Sequence, residues 1–172
     1  MGRDDGVYEI NPIVGVTHLR AEALVASLKG ETLKPFGRTT VSTPLYKLMP
    51  GKKWRPWEFD PSTDWQAVLD DMMVQLSKYG LPFIKANLDL RAACATLEAG
   101  EYGNPSETLF SLPAGLLLLG KAGQMEKVLE GWLREKPDSA YYRKYAEDLR
   151  KLATRGKVDE FVREAMPDGF DL

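Results

Sequence analysis

The strongest constraint on this chain is a periodicity. From Trp65 onward the apolar residues fall at positions 65, 68, 69, 72, 73, 76 and 79, the spacing of one side of an α-helix. Asp60-Pro61 offers a cap with proline at the first helical position, and Thr63 with Gln66 has the spacing of a capping box. Gly80 and Pro82 supply a stop, so the reading is a helix over residues 63–79. Such a helix needs a partner for its apolar side, and the stretch before it, "KKWRPWEFDPSTDW", supplies one. Arg55, Trp57 and Phe59 alternate with Trp54, Pro56 and Glu58 and so point to opposite faces of a strand. Trp57, Phe59 and Trp65 are therefore expected as packing between sheet and helix rather than as a stacking platform.

Upstream, residues 7–16 are rich in β-branched and aromatic types but contain Pro12, which cannot donate to a ladder and marks an edge or a bulge. Residues 17–29 change to helical spacing, with Ala21, Leu24, Val25 and Leu28 on one side and Gly30 as the stop. Residues 39–49 return to strand chemistry. Pro50-Gly51 then turns the chain, and residues 54–59 are expected to return as the hairpin partner. These elements predict an α+β protein, with a small antiparallel sheet of about three strands covered by the helix of residues 63–79 and followed by a helical carboxy-terminal part.

Residues 88–97 have a helical pattern closed by Gly100, and "GEYGNP" has the composition of a linker. Organisation is accordingly expected as an α+β part, residues 1–100, with a helical extension, residues 101–172, packed on it. Asn104, Pro105 and Glu107 have the spacing of a helix start, while Pro113 predicts either a kink or a break in residues 105–120. Met125, Val128, Leu129, Trp132 and Leu133 form one helical side, and Ser139 caps a helix whose buried edge is Tyr142, Tyr145, Ala146, Leu149 and Leu152. A last helix is expected over residues 158–166.

The stretch that contains Leu48, Pro50, Gly51, Trp57, Asp64, Gly80, Leu81, Pro82 and Phe83, over half the chain, resembles a family of small bacterial α+β domains. Some of its members are regarded as immunity factors paired with toxins. The resemblance implies a non-enzymatic role: an immunity protein that binds a cognate toxin and occludes its surface. It carries no catalytic residue across. Residues 109–137 resemble a single tetratricopeptide unit through Leu109, Leu112, Leu116, Gly120, Leu129 and Pro137. Pro113, Met125 and Trp132 occupy its small-residue positions, and no second copy follows at the required period. That likeness implies, as an alternative, a helical protein-interaction scaffold.

Composition excludes more than it assigns. Twenty-three Lys and Arg against 25 Asp and Glu give a net charge of −2, with no overall bias toward nucleic acid. Residues 61–120 hold three basic and seven acidic side chains, an acidic middle segment suited to a basic protein partner. Asp70, Asp71, Glu98 and Glu101 are the candidate partner-binding residues there. Asp70 and Asp71 diverge by about 100° on a helix, so they do not clamp one ion. The alternative surface is Lys52, Lys53, Trp54 and Arg55, a basic aromatic segment whose single exposed ring makes nucleic-acid binding a weak case.

His18 is the only histidine and is read as a capping or packing side chain; Cys94, among small helical residues, is read as an inert buried thiol. One histidine and one cysteine leave no zinc set, and no cofactor is implied. Glu126, Glu130 and Glu147 read as solvated helix-face charges. The glycines of "GKAGQ" lack the spacing of a phosphate loop. The amino terminus lacks the pattern of a signal peptide, and no apolar run reaches the length of a membrane span. A cytoplasmic, non-enzymatic protein is the resulting expectation.

Overall fold

The computed structural model describes residues 6–33, 38–54 and 56–166. The architecture is α+β, with four short strands and a helical carboxy-terminal part. Two strands precede the first helix: β1 (Tyr8–Ile10) and β2 (Ile13–Val16), followed by α1 (Leu19–Leu28). Two follow it: β3 (Val41–Pro44) and β4 (Trp57–Phe59).

The expected three-stranded sheet is replaced by two separate antiparallel ribbons, β1 with β4 and β2 with β3. The expected hairpin across Pro50-Gly51 does not form either, because β3 and β4 each pair with an upstream strand. The cause is local. Asn11-Pro12 interrupts the 7–16 segment, where proline removes a ladder donor, so the halves on either side pair independently. The Pro12 carbonyl accepts instead from the Leu45 amide at 2.8 Å.

α2 (Trp65–Gln75) starts at Asp64, whose side chain accepts from the Ala67 amide. It does not stop at Gly80 as expected. A wide, π-type turn, Leu76–Gly80, carries it into α3 (Leu81–Ala86). A second wide turn, Glu107–Ser111, leads into α5 (Leu112–Leu118), after α4 (Leu90–Ala99). Each wide turn comes just before a proline, Pro82 or Pro113, whose missing N–H and bulky ring disfavour the ordinary α register behind it. Residues 105–118 are therefore one continuous helical path.

α6 (Ala122–Glu135), α7 (Ala140–Arg155) and α8 (Val158–Ala165) follow among the described residues. Tyr142, Tyr145, Ala146, Leu149 and Leu152 of α7 are all buried, as their spacing predicts, and Ser139 caps the helix. α1 is buried on almost every side, against α5, α7 and α8, with Ala21, Ala23 and Leu24 wholly inaccessible. Its short side chains let three helices approach it. One apolar cluster runs from Val14 through α1 to Val162, drawing on both the strand-rich and the helical parts. The "GEYGNP" segment is tied down as well. The Gly103 amide donates to the Ser42 carbonyl, and Tyr102 packs edge-on against Phe83.

Candidate protein interface

Trp57 and Phe59, two apart on β4, share a face and are buried. α2 lies over them. The Trp57 indole N–H donates to Asp71 Oδ2 at 2.9 Å, and Asp71 Oδ1 accepts from Gln75 at 3.0 Å. At the other end Trp65 stands edge-on to Phe59, with ring centroids 5.6 Å apart.

A two-stranded ribbon is too narrow to cover the whole apolar side of such a helix. The row Val68, Met72, Leu76 and Tyr79 packs on the core. The neighbouring row, Trp65, Leu69 and Met73, is 56%, 39% and 53% exposed, and no residue of α2 is fully buried. Trp65 is thus not the interior cement its spacing suggests. Directly opposed residues of an antiparallel pair share a face, so Tyr8 and Ile10, opposite Phe59 and Trp57, extend the same ribbon face. They remain exposed too. From residue 56 to residue 77 the chain carries Glu58, Asp60, Asp64, Asp70 and Asp71 and not one lysine or arginine.

The sequence-selected acids do not gather into one patch. Asp70 is exposed, bonded to Gln66 at 2.8 Å, and borders the outward row of α2. Asp71 turns the other way, toward Trp57. Glu98 stands on α4 at a shallow groove shared with Leu112 and Trp132. Glu101, after α4, lies 3.8 Å from Lys52. The two alternative surfaces therefore touch, and Lys52 faces an acid and the Tyr102 ring rather than an open groove. Lys53 is exposed, and Trp54 is exposed with its ring edge-on to Tyr46. Arg55 lies outside the described residues. One open ring with Lys53 does not make the row of stacking faces that single-stranded nucleic acid needs.

The burial of two carboxylates, Glu22 and Glu107, has no local sequence signal. Glu107 is legible as a cap: its amide bonds the Asn104 side chain, and its carboxylate accepts from the Asn104 amide. Its oxygens also accept from Thr39 and Ser42, more than sixty residues away, which no local signal announces. Glu22 accepts from Thr40 at 3.0 Å. Both flank a cavity of about 220 Å³, but their oxygens are engaged by protein donors, so the pair ties elements together rather than facing a substrate.

Burial pushes the Glu22 carboxyl above its ordinary 4.5, against the opposing pull of bonds from Ser111 and Thr40. A glutamate whose folded pKa is raised contributes stability that is complete below the unfolded value and is lost as pH climbs through the folded one. Glu22→Gln is therefore expected to gain on the wild type from about pH 4.5 upward and then plateau. Urea midpoints of the two proteins across that range measure it, and a pH-independent difference would contradict it.

The His18 Nε2–H donates to the Asn87 carbonyl at 3.0 Å, a packing role. Cys94 is buried, and its thiol is pushed up to about 11, chiefly by burial. Glu126, on a partly solvated face, also accepts from the Arg150 guanidinium of α7 through both carboxylate oxygens. Among the described residues no three His, Cys, Asp or Glu side chains could hold a metal ion, and no helix is long and apolar enough to cross a membrane. No family model, curated protein or solved structure matches the chain.

Proposed function

We propose that this chain is a non-enzymatic protein-binding module whose docking surface is the outward row of α2 with its acidic border. The carrying observation is the half-covered helix: Trp65, Leu69 and Met73 stay open beside Asp70, in a stretch without basic residues. Apolar rows with a charged border mark interaction sites. The charge selects the partner, since a second copy of α2 would bring like charges together, whereas an apolar ridge flanked by Lys and Arg is complementary. Occlusion of a basic functional surface on a toxin, the immunity reading, is the form of this role we favour.

The test uses a synthetic amphipathic helix of leucine and lysine, titrated while tryptophan fluorescence is followed. Binding is expected for the wild type, and loss of it for Leu69→Lys combined with Met73→Lys. A leucine and glutamate helix should not bind. Because both positions are open to solvent, the double variant should fold with stability within about 0.5 kcal/mol of the wild type per site. Equal binding by the folded double variant would refute the site. Co-expression with the product of the neighbouring gene then tests the inhibitory form, where relief of toxicity must depend on Leu69 and Met73.

A further inference from the structure

Positive charge is concentrated elsewhere in the molecule. Between the carboxy-terminal end of α1 and the facing sides of α7 and α8 lies a cavity of about 420 Å³. That is within the range of small-ligand sites. Its apolar lining is Leu28 from α1, Leu152 from α7 and Phe161 from α8. Its borders are cationic, formed by Lys29, Lys144, Lys151 and Arg155 with the single carboxylate Asp148 among them.

Helical spacing explains the convergence. Positions 144, 148, 151 and 155 recur at four, three and four and so share one side of α7. Lys144 and Lys151 both bond to Asp148, one carboxylate for two ammonium groups. Lys29 pairs with Glu31 at 3.1 Å. The Arg155 guanidinium makes no hydrogen bond or ion pair among the described residues. In a chain of net charge −2, the cavity thus carries more cations than its own carboxylate balances. Helix dipoles account for a cation in the last turn of α7. They do not account for four cations around one apolar recess. Tyr141, half exposed, adds a ring that stands edge-on to Phe110 with the Lys29 ammonium 5.7 Å from its centre.

We propose that this cavity binds a small organic anion, with a flat apolar body against Leu152, Phe161 and Tyr141 and a phosphate or carboxylate head held by Arg155 and Lys151. An arginine with no side-chain partner among the described residues offers the forked donor set that such heads match.

The probes are naphthyl phosphate, naphthoate and neutral naphthol, titrated into the full chain while amide NMR shifts are recorded. Saturable shifts at Gly30, Tyr141, Leu152 and Arg155 are expected with either anion, and the tighter one identifies the head group. Naphthol should bind about tenfold more weakly, and Arg155→Glu should weaken the anions by a similar factor, as loss of one charge-assisted contact would. Leu69→Lys should leave these affinities unchanged, which separates this site from the α2 surface. The proposal is overturned if naphthol binds as tightly as the anions, if Arg155→Glu binds like the wild type, or if the shifts gather on α2 instead.

Discussion

Glu107→Ala is expected to destabilise the fold by about 3–5 kcal/mol, because several neutral donors lose a charged acceptor at about 1–3 kcal/mol each. The carboxylate accepts from the Thr39 hydroxyl at 2.6 Å, the Ser42 hydroxyl at 2.5 Å, the Ser42 amide at 3.0 Å and the Asn104 amide at 2.9 Å. Truncation leaves the buried Ser42 amide and hydroxyl without their acceptor, while the Thr39 and Asn104 donors lie nearer the surface. The position also holds β3 against the turn that opens the helical half. Across β3, the ribbon has no slack to absorb a shift. A Cβ on Gly15, which pairs with Ser42, would lie 2.8 Å from the Val41 carbonyl oxygen. Glu107→Gln keeps the shape but turns an amide nitrogen toward some of the same donors, so an intermediate loss of about 1–3 kcal/mol is expected. Urea unfolding of the three proteins gives the order wild type, Gln, Ala. A loss below about 1 kcal/mol for Glu107→Ala would mean that water or rearrangement satisfies the donors, contrary to the cluster's tight geometry.

What the sequence made legible is what depends on near neighbours. The five buried positions of α7, the Ser139 cap, and the reciprocal Asn104–Glu107 cap all follow from spacings of three and four. Trp57 and Phe59 follow from alternation. Strand pairing did not, since the choice of β1 for β4 and β2 for β3 rests on the interruption at Pro12 and on contacts between residues about 25 to 51 apart. The second role of Glu107 was hidden for the same reason.

The candidate surface was legible only in part. The apolar spacing of α2 announces seven residues that want cover, and spacing cannot say how wide the covering sheet is. Two strands cover the row at Val68 and Met72 and stop short of Trp65, Leu69 and Met73. Asp70 was found because it is acidic, yet its neighbours on the outward row are what distinguish it from Asp71, which is engaged by Trp57. The open surface is thus the difference between what the sequence asks to bury and what the fold can bury.

Tyr145→Ala should cost about 3–5 kcal/mol, as large aromatic truncations in tight cores do, and it bears on whether the two parts of the chain unfold together. Tyr145 is almost wholly buried. Its hydroxyl donates to the Phe110 carbonyl at 2.8 Å, and its ring stands edge-on to Phe110 at 5.0 Å. Phe110 belongs to the same wide turn as Glu107, so this aromatic pair backs the charge cluster from the helical side. Tyr145→Phe keeps the ring and loses only the hydroxyl bond, for which about 1 kcal/mol is expected. The difference between the two variants separates packing from hydrogen bonding. Because one apolar cluster runs from Val14 to Val162 through α1, the destabilised protein should still unfold in a single step. With phenylalanine at Trp54, Trp65 and Trp132, fluorescence of Trp57, buried beneath α2, and far-ultraviolet circular dichroism, dominated by the helices, should then share one urea midpoint. If Trp57 keeps its native signal after the helices melt, the strand-rich part stands alone, and the route from Glu107 through Phe110 to Tyr145 does not couple them.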